Sequence, residues 1–141
     1  YHQVIAFLTL GKPESLKALE RDVRAWFDKD SEVQFSIDTA PFDIGEHLVL
    51  NWDDWYLRFY FEMHADVEKQ AQDVALRLAG GRPNQEAIAT CKRRIRIVGS
   101  DETQPDHITQ HIIATEFLQQ LPGSVIFYPE KDELLKNRNL S

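Results

Sequence analysis

The sequence of 141 residues lacks the features of a secreted, membrane-spanning or disordered protein. Its one cysteine, Cys91, cannot form a disulfide within the chain, and we find no secretory signal peptide. No apolar run approaches the length of about 18 residues that a membrane-spanning helix needs. Hydrophobic residues make up 43% of the chain, too many for a disordered acidic protein. We therefore expect one globular domain over residues 1–141, with a charged tail from about residue 130, in the reducing cytoplasm.

The motifs of the common enzymes are also missing. The sequence has no glycine-rich dinucleotide loop, no phosphate-binding loop ending in Lys-Ser or Lys-Thr, and no nucleophile elbow. Because no such motif is available to support a mechanism, we expect a protein without enzymatic activity, cofactor or bound metal.

The negative charge is concentrated in one part of the chain. The sequence holds 23 acidic and 16 basic residues, a net charge of −7. Residues 28–54, called here the acidic segment, contain eight of the acids and one lysine, so they carry the whole excess. The acids are Asp28, Asp30, Glu32, Asp38, Asp43, Glu46, Asp53 and Asp54. An acidic chain repels nucleic acid and anionic membranes. The segment is therefore either a solvated edge or a docking surface for a basic partner.

Hydrophobic periodicity predicts the element order β-α-β-β-β-α-β-α-β. Antiparallel hairpins between helices indicate an α+β fold, with a single mixed, mostly antiparallel sheet and helices packed on one face. We expect Asp66 to cap the second helix and residues 132–136 to form one helical turn. The expected buried face of the third helix consists of Ile108, Ile112, Ile113, Phe117 and Leu121.

The string Trp52-Asp53-Asp54-Trp55 forms the predicted tip of a hairpin. Two tryptophans in facing positions can staple the two strands together. They can also form a rigid knob that offers charge for steering and indole for burial in a basic cleft. The sequence leaves both readings open.

Alternation along the second arm of this hairpin predicts a solvated sheet face rich in tyrosine and arginine. Its members are Tyr56, Arg58, Tyr60, Glu62, Arg94 and Arg96. Tyrosine and arginine are frequent at protein interfaces. The same residues suit cross-strand pairs that cover an exposed sheet, or a single-strand RNA platform that uses Tyr56, Arg58 and Arg96.

Histidines provide an alternative of another class. His107 and His111 lie four residues apart on one face of the third predicted helix, the spacing of a metal or acid–base pair. His64 follows the hairpin. These three predict, as an alternative, a small metal- or ligand-binding enzyme domain. The absence of an accompanying HExxH motif favours ordinary surface histidines.

Over its whole length the chain resembles the small acidic immunity proteins that bacteria produce together with polymorphic or contact-dependent toxins. The similarity lies in the acidic stretch 35–55, the Trp52–Trp55 string and the run from Glu116 to Phe127. It implies a non-enzymatic protein that binds a basic toxin domain stoichiometrically and occludes its active site, often that of a nuclease. The expected partner-binding residues are Asp38, Asp43, Glu46, Trp52, Asp53, Asp54, Trp55, Tyr56, Arg58 and Tyr60.

Overall fold

The computed structural model describes residues 3–39, 45–53, 55–99 and 107–135. Within them the chain forms strands and helices in the order β1 (Gln3–Leu8), α1 (Leu16–Trp26), β2 (Gln34–Thr39), β3 (Glu46–Trp52), β4 (Trp55–Glu62), α2 (Ala65–Leu78), α3 (Gln85–Ala89), β5 (Arg94–Gly99), α4 (Ile108–Gln120), β6 (Ser124–Tyr128) and β7 (Glu133–Leu134). The predicted α+β class is confirmed.

All seven strands belong to one sheet, in the order β2-β3-β4-β5-β1-β6-β7, and every neighbouring pair is antiparallel. The first strand of the chain, β1, lies between β5 and β6. The two edges are β2 and β7. The predicted antiparallel hairpins are therefore present, and long-range pairing places the N-terminal strand inside the sheet.

Helices α1 and α4 cover one face of the sheet. The hydroxyl of Ser15 caps α1 by accepting a hydrogen bond from the backbone N–H of Ala18 at 3.1 Å. The larger core lies beneath these helices. Its helix residues include Leu19, Val23, Phe27, Ala114, Phe117 and Leu118, and its strand residues include Ala6, Leu48, Leu50, Leu57, Phe59, Ile95 and Ile97.

Helices α2 and α3 lie on the opposite face, so the prediction that the helices share one face is wrong. The physical reason lies in β1, where alternate residues such as Ile5 and Phe7 are apolar on the second face as well. A strand that is apolar on both sides needs cover on both sides. Small residues of α2 allow it to approach closely, and this second core contains Ala71, Val74, Ala75, Ala79, Ile88, Val125 and Phe127.

Two local predictions for the helices are also corrected. Helix α2 begins one residue before Asp66, with His64 at the N-cap and no side-chain capping bond, so Asp66 is not a cap. In α4 the buried residues are Ala114, Phe117 and Leu118, so Phe117 of the predicted face is buried, as is Leu121 directly after the helix. Ile108 and Ile112 are 56% and 52% exposed. The small side chain of Ala114 lets this stripe, rather than the isoleucine stripe, lie against the sheet.

The expected helical turn near the C-terminus is wrong over its described residues. Asp132 has a φ of 51°, which ends any helical path, and Glu133–Leu134 pair with Phe127 and Tyr128 as the short strand β7. Arg77 of α2 donates to both carboxylate oxygens of Asp132, at 2.6 and 3.0 Å, and holds this turn against the helix. Lys136 lies outside the described residues.

Candidate functional site

The acidic segment folds so that its exposed carboxylates stand at the two ends of the β2–β3 hairpin. Asp38 and Glu46 are exposed at one end. Asp28, Glu32 and Asp53 are exposed at the other end. The six-residue strand β2 separates the two groups by about 17 Å. Both groups lie at the open edge of the sheet. The predicted contact residues Asp43 and Asp54 lie outside the described residues.

Asp30 differs from the other acids because its carboxylate is used inside the fold. One oxygen accepts hydrogen bonds from the backbone N–H groups of Glu32 and Val33, at 2.9 and 3.1 Å. The other accepts from the indole N–H of Trp52 at 2.8 Å. Asp30 therefore shapes the loop that leads into β2 and ties it to the end of β3. Sequence analysis did not distinguish Asp30 from the other seven acids of the segment, because the structural role of Asp30 depends on a contact with an indole 22 residues away.

Trp52 and Trp55 are paired across the hairpin and are both 3% exposed. Their ring centroids lie 5.6 Å apart, and the ring of Trp52 lies 5.9 Å from that of Phe27. The strand alternation places both indoles on the same face as Leu50 and Leu57, beneath α1. The indoles therefore staple the hairpin, and the alternative of an exposed aromatic knob is wrong for them. At the tip, Asp53 remains exposed.

The solvated sheet face predicted from β4 and β5 is present, and its side chains form rows across the strands. One row runs from Asp38 through His47 and Tyr60 to Arg96. The ring of Tyr60 stacks on His47, with centroids 4.7 Å apart, and the Arg96 guanidinium lies 4.3 Å from the Tyr60 centroid. Because β4 lies between β3 and β5, these two neighbours approach the Tyr60 ring from opposite sides. His47 and Arg96 therefore cover the two faces of the Tyr60 ring.

A second arginine–tyrosine contact lies closer to the hairpin tip. The Arg58 guanidinium lies over the ring of Tyr56, 4.3 Å from its centroid. Both side chains are half-buried. No carboxylate of the described residues lies within salt-bridge distance of Arg58. Among the described residues, Arg58 therefore contacts an aromatic ring rather than a carboxylate.

Glu62 joins β4 to β5 at the other end of this face. Its carboxylate accepts hydrogen bonds from Arg94 at 2.7 Å and from Arg96 at 3.0 and 3.2 Å. Arg94 also donates to the side chain of Gln70 on α2. Burial raises the pKa of Glu62, but the hydrogen bonds and charges of Arg96 and Arg94 outweigh it and hold the pKa below its usual range. The two arginines are therefore largely neutralised within the fold.

The three histidines of the enzyme alternative do not converge. His64 follows β4, and its Nε2 lies 3.8 Å from a carboxylate oxygen of Glu62. His107 stacks on Trp55 at the opposite end of β4, with ring centroids 4.5 Å apart, and His111 lies on the same helix. The eight residues of β4 span about 23 Å. Across residues 3–39, 45–53, 55–99 and 107–135, no three His, Cys, Asp or Glu residues are grouped to hold a metal ion.

Comparison of the chain with protein-family models, with curated proteins and with solved structures finds no match. In the described part of the chain, no helix is both long enough and apolar enough to cross a bilayer. Function must therefore be inferred from the arrangement of charge and exposed backbone.

Proposed function

We propose that this chain is a non-enzymatic binding protein of the cytoplasm that holds a basic protein partner through the exposed carboxylates of the acidic segment. In this proposal it acts as an immunity protein, which blocks a toxin by occupying the toxin's active site. The observation that carries the proposal is the position of the charge. The segment holds the whole net charge of −7, and five of its carboxylates are exposed at the two ends of one hairpin.

A local acidic surface on an otherwise balanced chain suits association with a basic cleft. The field of such a surface raises the rate of encounter with a cationic partner, and the attraction weakens as salt is added. A nuclease cleft is lined by cations that bind phosphate groups. Carboxylates held about 17 Å apart by β2 would meet such cations at two points and exclude the substrate.

Protection of growing cells tests this function directly. The C-terminal domain encoded by the gene upstream of this one would be expressed in the host, with and without this chain. We expect the domain to stop growth and the chain to restore it. Failure of the chain to protect, or the absence of toxicity, would contradict the immunity role.

A pair of charge-reversal variants tests whether the acidic segment is responsible. Asp38→Lys combined with Glu46→Lys changes two exposed carboxylates of the segment. Glu86→Lys combined with Glu116→Lys changes two exposed carboxylates on α3 and α4, with the same change in net charge. We expect the first variant to slow association by about tenfold or more and to flatten its salt dependence, while the second retains protection. Equal behaviour of the two variants would exclude the segment as the docking surface.

A further inference from the structure

The two edges of the sheet differ in how far they are protected against pairing with another strand. The edge strand β7 is two residues long and directly follows the turn at Asp132 that Arg77 holds. The edge strand β2 is six residues long and pairs with β3 in unbroken register from Gln34–Asn51 to Thr39–Glu46. Natural edge strands avoid further pairing by being short, or through proline, lysine or a bulge. Strand β2 has no lysine, proline or bulge, and its one charged residue is Asp38 near one end.

The outer side of β2 has the backbone groups and side chains that an added strand requires. No strand of the described residues pairs with it. About half of the backbone N–H and C=O groups of an edge strand point away from its one neighbour. Phe35 and Ile37 alternate with Gln34, Ser36 and Asp38, so the apolar side chains share one sheet face and the polar side chains share the other. The Arg24 guanidinium of α1 covers part of the Phe35 ring, 4.7 Å from its centroid, and leaves Ile37 as the more open contact. Ile37 is 37% exposed on the apolar side.

The charge around β2 selects among the possible occupants. Neither β2 nor β3 contains lysine or arginine, and exposed carboxylates stand at both ends of the pair. The one cation in contact with β2 among the described residues, Arg24 over Phe35, is paired with Glu20 at 3.0 Å. A second copy of this chain would bring an identical set of carboxylates to the same edge, and like charges in facing positions are unfavourable. A basic strand would meet opposite charge at each end. The occupant that fits is therefore an extended, cationic segment of another protein.

We propose that the outer edge of β2 accepts a basic segment of the partner as an eighth strand, with alternate apolar side chains lying against Phe35 and Ile37. This inference rests on the proposed function, because it describes how the same partner is held. Backbone hydrogen bonds would provide the affinity, and the alternation of side chains would provide the selectivity. The carboxylates at the two ends of β2 would favour a cationic strand over an acidic one.

Binding of a model peptide to the full chain tests the inference without the natural partner. The probe is a fluorescently labelled peptide of alternating lysine and valine (KVKVKVK), measured by anisotropy at low salt. A second peptide has the same side chains but carries N-methyl groups on its interior amides, which removes the hydrogen-bond donors at equal charge. We expect the N-methylated peptide to bind about tenfold more weakly or worse, because several backbone hydrogen bonds are lost. We expect the acidic peptide EVEVEVE not to bind.

Two matched variants of the chain locate the binding edge. Ile37→Lys places on β2 the residue that natural edges use for protection. Ile112→Lys makes the same change at an exposed position of α4. We expect the first variant to lose about tenfold in affinity for KVKVKVK or more, and the second to bind like the unchanged chain. Thermal unfolding of both variants, followed by circular dichroism, verifies that each is folded.

Three results would overturn strand addition. They are equal binding of the N-methylated peptide, equal binding by the two isoleucine variants, and no binding of KVKVKVK up to about 1 mM. After any of these three results the proposed function would still hold, provided that the unchanged chain protects cells and the Asp38→Lys, Glu46→Lys variant does not. Conversely, selective binding of the probe with no protection of cells would support the edge and reject the immunity role. Failures of the two proposals are therefore distinguishable.

Discussion

Strands β1 and β6 are covered by helices on both faces, whereas β2, β3, β4 and β5 are covered on one face only. In the first half of the sheet, α2 and α3 close the second face with small and branched apolar residues. In the second half the corresponding face consists of stacked tyrosine, histidine and arginine side chains. The exposed carboxylates of the acidic segment all belong to this second half. The comparison suggests that the covered half provides stability and that the open half is available for binding.

Glu62 binds Arg94, which also contacts Gln70 of α2, so this network connects the open half to the helix that covers the other half. The removal of Glu62 has the largest expected effect. Glu62→Gln keeps the shape of the side chain but leaves Arg94 and Arg96 half-buried without their carboxylate. Breaking one side of such a network costs about 3 kcal/mol. We expect the free energy of unfolding in urea to fall by about that amount. Glu116→Gln, at an exposed position of α4, is the control. A loss for Glu62→Gln no greater than for the control would show that the halves are not joined by this network.

The interaction of Glu62 with Arg94 and Arg96 also predicts how the stability of the chain depends on pH. Because the pKa of Glu62 is lower in the folded chain than in the unfolded chain, its contribution is fully present above the unfolded value of about 4.5. The contribution is lost as the pH falls through the folded value. We therefore expect the difference in urea midpoint between the unchanged chain and Glu62→Gln to narrow progressively below about pH 4.5. A difference that stays constant into more acidic solution would contradict this assignment.

Two valines provide a direct measure of the contrast between the halves. Val49 in the open half is 8% exposed and Val125 in the covered half is 7% exposed, so burial is matched. Val125 packs in the core beneath α2, whereas Val49 lies between Ser36 and Arg58 on neighbouring strands. Val125→Ala leaves a cavity among rigid neighbours, and we expect a loss of about 2 kcal/mol in stability.

Val49→Ala should cost less than the matched change at Val125. The long Arg58 side chain beside it can move into the space, so we expect a loss of about 1 kcal/mol or less. Chemical denaturation of both variants measures the difference. Equal losses would mean that the open face is packed as tightly as the covered face.

The smallest expected effect lies at the hairpin tip of the open half. Asp53 has a φ of 53°, a left-handed conformation that aspartate tolerates better than most residues but that glycine adopts at the lowest cost. Asp53→Gly removes the steric cost of this positive φ, and we expect it to stabilise the chain by about 0.5 kcal/mol. The urea midpoint provides the measurement. A clear destabilisation would show that the Asp53 side chain supports the turn.

The alternation of apolar residues in β4 and β5 predicted the two faces of these strands, because a period of two determines which side chains share a face. It predicted that Tyr60 and Arg96 share the solvated face, and their cross-strand pairing confirms this. The run from Val4 to Leu8 is apolar on both sides and needs cover on both faces, but the helix patterns did not show which helix would lie on each face of this strand. That follows from its position inside the sheet, which depends on pairing with β5 and β6 far along the chain.

The site was less predictable than the fold for a similar reason. A count of charges located the acidic segment but did not distinguish Asp30, whose carboxylate binds the Trp52 indole, from its exposed neighbours. The Trp52–Trp55 string was equally compatible with a staple and a knob, and only the register of β3 with β4 decides between them. The open edge of β2 depends on the strand order, which local sequence does not contain.

The paired indoles of Trp52 and Trp55 also make the hairpin an optical reporter. Rings held 5.6 Å apart in a fixed asymmetric setting produce a near-ultraviolet circular dichroism signal that disappears when tertiary packing is lost. The hydrogen bond from Trp52 to Asp30 connects this pair to the loop that carries Asp28 and Glu32. A ligand that displaces that loop would therefore be detected by the unlabelled chain through its own tryptophans.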